Sequence, residues 1–122
     1  MSCRHRLISR AARTSRVVAS NCTGSFPLAF AGLLDGLPAT THWEDLHDLR
    51  ARFPNVNVVG VRWVDHGHVA TSAGISAGID LALHLVWKLH GGELTLATAR
   101  QMDYRWTREG DNRAPARPGA EL

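Results

Sequence analysis

The spacing of apolar residues changes several times along this chain, and each change marks an element. Leu7, Ile8, Ala11 and Ala12 recur at intervals of three and four, which predicts a short helix over residues 4–15. Val17 and Val18 then open a β-branched run that predicts a strand over 17–21. Helical spacing resumes over 23–34, with Pro27 near the first turn, where its missing N–H matters least, and Gly36 placed to cap the end. After a brief extended piece at 38–40, Thr41-His42-Trp43-Glu44 has the form of a capping box. In that motif the Thr41 hydroxyl takes the Glu44 N–H and the Glu44 carboxylate takes the Thr41 N–H. Leu46, Leu49 and Phe53 continue at i, i+3 and i+7 as one buried face, and Pro54 stops the helix.

Residues 56–59 and 61–64 read as strands around Gly60, in the manner of a hairpin. Asp65-His66-Gly67-His68 is a turn, and 69–72 a further short strand. Residues 75–89 predict the longest helix, apolar almost all round, as a helix buried in a larger body would be. Gly91-Gly92 breaks it, and 93–104 forms a last helix. From Thr107 onward Arg, Gly, Pro and Asp dominate without periodicity, so one domain over 1–106 and a disordered tail over 107–122 are expected. Alternation of helix and strand argues an α/β sandwich with parallel strands. The strand at 17–21 suits the centre of a parallel sheet, yet few strands are available to flank it, and the sheet reads as unfinished.

Composition adds modest limits. Apolar residues make up 44% and charged residues 20%, as in an ordinary globular domain. The apolar stretch from Leu81 to Trp87 is too short to span a bilayer, so no membrane partner is expected. With only two cysteines, Cys3 and Cys22, no disulfide framework is implied, and a reducing, cytoplasmic compartment fits. Arg4, Arg6, Arg10, Arg13 and Arg16 precede the strand at 17–21 with no acidic residue among them. Such a segment can be a transit peptide or a nucleic-acid-binding arm, but the apolar periodicity favours a solvated helix. Nucleic acid is not an expected partner, because the four tryptophans are scattered rather than interleaved with basic residues.

Ser20-Asn21-Cys22-Thr23-Gly24 stands where the β-branched run meets the helical one. Small residue, any residue, nucleophile, any residue, glycine is the pattern of a nucleophile elbow, in cysteine form. Ser20 and Gly24 are small because bulk would collide across the tight turn. Free N–H groups at a following helix N-terminus would favour a thiolate. The plainer alternative is a buried cysteine that fills space. His42 reads from its position as a first-turn residue of ordinary exposure, with a site histidine as the alternative that a family resemblance would strengthen. Glu44 with His47, and His66 with His68, have spacings seen in metal sites, but three or four ligands do not converge and no metal is expected. Asp80 reads as a structural carboxylate or as support for the site, while His84 and His90 read as structural.

Three blocks together resemble the ThiJ/PfpI family of class I glutamine-amidotransferase-like domains. They are 21–26 with 31–36, 39–43, and Val69-Ala70-Thr71-Ser72-Ala73-Gly74-Ile75-Ser76-Ala77-Gly78-Ile79-Asp80. The likeness runs from about Leu7 to Trp106 and is nearest the isonitrile hydratases and the AraC-type regulators with an amidotransferase-like sensor domain. It implies a flavodoxin-like three-layer α/β sandwich carrying the elbow. Family members have strands and helices ahead of the elbow that this chain does not match, including an acidic partner of the cysteine. The expectation is therefore a partial domain with N-terminal strands missing. Such a domain would associate with itself or with another chain that completes the sheet.

For function, the resemblance implies Cys22 as nucleophile toward a small electrophilic substrate, without a cofactor. The N–H of Thr23 would support developing negative charge. Thr23 itself stands where other branches carry histidine, which argues against a Cys-His protease. Thiolate attack on an isonitrile carbon would give a thioimidate, from which water releases a formamide. That step needs a general acid, and the missing carboxylate would impair it. The alternative is a non-catalytic relic, or a domain sensing a ligand or oxidation through Cys22.

Overall fold

The computed structural model describes residues 3–106. Five helices are α1 (Cys3–Thr14), α2 (Ser25–Phe30), α3 (Leu46–Arg52), α4 (Ile75–His90) and α5 (Gly92–Gln101). Five strands are β1 (Val18–Asn21), β2 (Pro38–Ala39), β3 (Asn57–Val58), β4 (Trp63–Asp65) and β5 (Val69–Ser72). One sheet has the order β1-β5-β4, with β1 parallel and β4 antiparallel to β5; β2 and β3 form a separate parallel pair. The fold is α/β, as the alternation of periods predicts. The tail expected over 107–122 lies outside the described residues.

Several boundaries differ from the sequence expectation, each for a local reason. The helix expected over 23–34 begins as a 3-10 turn at Cys22–Gly24 and is regular only over six residues, before turns that lead to Gly36. Residues 56–59 and 61–64 do not pair with each other: β3 joins β2, and β4 joins β5. The hairpin is β4–β5, where Gly67 at φ 89° supplies a backbone shape that side-chain-bearing residues resist. Thr41 and Glu44 do not form a capping box. The Glu44 N–H donates to His42 Nδ1 at 3.2 Å instead, and a 3-10 turn at Trp43–Asp45 precedes α3.

The principal core lies among α2, α3, β2, β3 and β5, where Leu28, Leu34, Leu46, Leu49, Val58 and Val69 are buried together. Ile8 of α1, Val18 of β1 and Phe26 pack against it. α4 packs on the three-stranded sheet and α5 packs on α4. Around α4, Arg62 pairs with the Asp80 carboxylate, which also accepts the Tyr104 hydroxyl at 2.6 Å. Asp80 is thus held by residues before β4 and after α5. That bond, reinforced by burial, raises the Tyr104 phenol above its ordinary 10.0.

Asp65, at the end of β4, accepts from His84 Nε2 at 2.8 Å, from Lys88 Nζ at 3.0 Å and from the Gly67 N–H at 2.9 Å. The His84 ring lies between Trp63 and Trp87, with centroids 4.5 and 5.7 Å away. Burial pushes the Asp65 carboxyl up. The His84, Gly67 and Lys88 hydrogen bonds, with the Lys88 charge, outweigh it and leave the group below its ordinary 3.8. A carboxyl depressed in the folded state stabilises fully above its unfolded value, and that stability is lost as pH falls through the folded value. Urea titrations of the Asp65→Asn variant below about pH 4 should therefore show a flatter loss of stability than the parent. Equal slopes would rule this group out as a source of acid sensitivity.

Candidate functional site

The parallel strands β1 and β5 end side by side, with Asn21 opposite Ser72. The chain beyond β2 arrives at the same edge. The Thr40 N–H donates to Thr71 Oγ1 of β5 at 2.9 Å, and the Thr41 hydroxyl donates to the Cys22 carbonyl at 3.0 Å. In α/β sheets the carboxyl ends of parallel strands are where ligands gather, because loops there can converge without disturbing the core.

Cys22 is the first residue past β1 and has φ 56°, in the left-handed region. For a residue with a side chain that conformation costs about 1–3 kcal/mol and must be held by its surroundings. Its carbonyl takes the Thr41 hydroxyl and, at 3.4 Å, the Ser25 hydroxyl. The residue is half-buried, whereas Cys3, the other thiol, is exposed. α2 behind it has only six residues, so the dipole at this turn is that of a short helix.

Ser20 is buried beneath the turn, and a Cβ on Gly24 would lie 3.5 Å from Ser20 Cβ. That is ordinary packing distance: the two small residues face one another across the turn, and a methyl at 24 would meet no clash there. Thr23 is exposed on the turn.

His42 follows Thr41 and so stands one residue from the bond to Cys22. Its ring is occupied at Nδ1 by the Glu44 N–H, with the Glu44 and Asp45 carboxylates each 3.9 Å from that nitrogen. A neutral ring that accepts at Nδ1 carries its proton on Nε2. His66 and His68 sit on the β4–β5 turn, where the His68 ring reaches the carbonyls of Ala12 and Arg16. Among the described residues no three His, Cys, Asp or Glu converge to hold a metal ion. No described helix is long and apolar enough to cross a membrane.

The sequence reading missed three contributors: the Thr41 hydroxyl, the Ser25 hydroxyl, and the contact of Gly78 in α4 with the Asn21 side chain. For the last, a glycine inside a long helix was the available signal, because it weakens a helix and needs a packing reason.

Comparison with known proteins gives this geometry a lineage. Over 93 residues the chain is 39% identical to the HTH-type transcriptional regulator GbdR of Pseudomonas aeruginosa, spanning 76% of this chain and 25% of that protein. Over 95 residues it is 43% identical to isonitrile hydratase of Pseudomonas putida, spanning 76% of this chain and 40% of the hydratase. The crystal structure of a ThiJ/PfpI family protein from Pseudomonas syringae superposes with a TM-score of 0.73 at 29% identity, over 82% of this chain and 40% of that one. The chain thus spans only 25–40% of the length of these relatives. Residues 4–88, from the first turn of α1 almost to the end of α4, match the DJ-1/PfpI family, and the chain belongs to it.

Proposed function

We propose that Cys22 is the reacting thiol of a small-molecule site at the carboxyl ends of β1 and β5. The observation that carries this reading is its φ of 56° directly after a strand. A cysteine that only filled space would not need a strained backbone, and strain of this kind concentrates where a side chain must be aimed. Isonitriles are the substrate class suggested by the hydratase relative. The Cys22 sulfur would bond to the isonitrile carbon, which takes a proton to give a thioimidate. Water would then add to that carbon, the carbon–sulfur bond would break, and an N-substituted formamide would leave with the thiol restored. The Thr23 N–H supports negative charge as it develops, Ser20 and Gly24 pack across the turn beneath it, and His42 Nε2–H is a proton donor.

The identity to GbdR favours a second reading, in which the same site binds or senses a ligand without turnover. The two readings separate on stoichiometry. The full chain is incubated with an alkyl isonitrile, formamide is followed by proton NMR, and adducts are followed by intact mass. Formamide in excess of protein supports the hydratase reading. An adduct that stops at one per chain supports the sensor. Identical behaviour of the Cys22→Ser chain would remove Cys22 from both.

A further inference from the structure

A left-handed cysteine persists only where the surrounding structure holds it there. On its carbonyl side Cys22 is held by Thr41 and Ser25. On its amino side stands Asn21, whose side chain has neighbours of its own. The Ser72 hydroxyl lies 3.0 Å from Asn21 Oδ1 and 3.1 Å from the Ser20 carbonyl. Above this pair runs α4, so close that a Cβ on Gly78 would stand 2.6 Å from Asn21 Oδ1 and 2.8 Å from Nδ2. Real Cβ atoms do not approach polar atoms so closely. Only a glycine at 78 leaves the carboxamide where it is.

Two locally unfavourable choices meet at this contact. Asparagine is a poor strand residue, yet it ends β1; glycine is a poor helix residue, yet it lies within α4. Departures from local preference that coincide in space tend to mark a function rather than a fold requirement.

We propose that Asn21, exposed at the end of β1 but bonded to Ser72 and closely approached by Gly78, is a positioning residue that sets the direction of the Cys22 thiol and thereby its reaction rate. The inference rests on the reading of Cys22 as the reacting thiol. α4 then acts on the site through one side chain: a shift of its first turns moves Asn21, and Asn21 moves the residue bonded to it.

The test uses the full chain with Cys3→Ser, so that iodoacetamide reports on Cys22 alone, and a thermal melt accompanies each variant. Gly78→Ala should slow Cys22 alkylation about tenfold, as misplacement of a reacting group does. Asn21→Ala should slow the reaction too, and because it removes the side chain that Gly78→Ala displaces, the double variant should match Asn21→Ala alone. Ser72→Ala, which removes the hydroxyl shared by Asn21 Oδ1 and the Ser20 carbonyl and adds no bulk, should slow the reaction about threefold. A purely structural role would lower the melting temperature without this pattern of rates. A folded Gly78→Ala or Asn21→Ala chain reacting at the parent rate, or a double variant clearly slower than Asn21→Ala alone, would overturn the proposal. Should Gly78→Ala fail to fold, Ser72→Ala decides in the same way, an unchanged rate overturning it. A Cys22 in the Cys3→Ser parent that reacts no faster than it does in the urea-unfolded chain would remove the proposed function and this inference together. A fast parent with unchanged variants would remove the positioning role alone.

Discussion

Cys22→Ser is expected to lower isonitrile turnover or adduct formation by a factor on the order of a thousand or more, the usual result of deleting a nucleophile. A hydroxyl in the place of the thiol keeps nearly the same volume and is a far weaker nucleophile. The bonds that hold residue 22 itself are made to its carbonyl, by Thr41 and Ser25. Stability should therefore change by less than about 1 kcal/mol, as for substitutions that open no cavity and leave no polar group unpaired. Loss of chemistry with retained fold is the expected signature. A serine chain that still forms formamide at the parent rate would place the chemistry elsewhere.

Leu49→Ala should be the most damaging single truncation in the fold. Leu49 is 0% exposed on the inner face of α3 and lies in the principal core with Leu34, Leu46 and Val58. Removing a buried leucine side chain costs about 2–5 kcal/mol, the spread depending on how far the cavity can collapse. In a chain of 122 residues that is a large share of the total stability, which runs at about 0.05–0.15 kcal/mol per residue. Urea unfolding followed by circular dichroism measures it directly. A loss below about 1 kcal/mol would show that α3 is not tied to the core as its burial implies.

Helices were legible where one face is apolar. Leu46, Leu49 and Phe53 mark α3, and Gly91 ends α4 at the expected place. Strand partners were not legible. A short run such as Asn57–Val58 carries no information about which edge it joins, and Gly60 between two such runs suggested a hairpin. Longer-range contacts through β2 and β5 decide that pairing. The end of β1 just before Cys22 was readable because the β-branched run stops there. The restraints on this turn were hidden because they come from Thr41, Ser72 and Gly78, brought in by three other parts of the chain. His42 illustrates the same limit: a capping box could be read from Thr41 and Glu44, but the Cys22 carbonyl claims the Thr41 hydroxyl and the imidazole takes its place at the cap.

The most direct measurement is competition between the two thiols of the native chain. Cys3 is exposed and Cys22 is half-buried, so access alone gives Cys3 the faster reaction. Treated with limiting iodoacetamide at neutral pH and digested for mass spectrometry, the chain should carry the label first on Cys22, by about tenfold over Cys3, since reactive thiols are selected by environment rather than exposure. Label appearing first on Cys3, with Cys22 modified only on unfolding, would contradict the assignment of Cys22 as the reacting group.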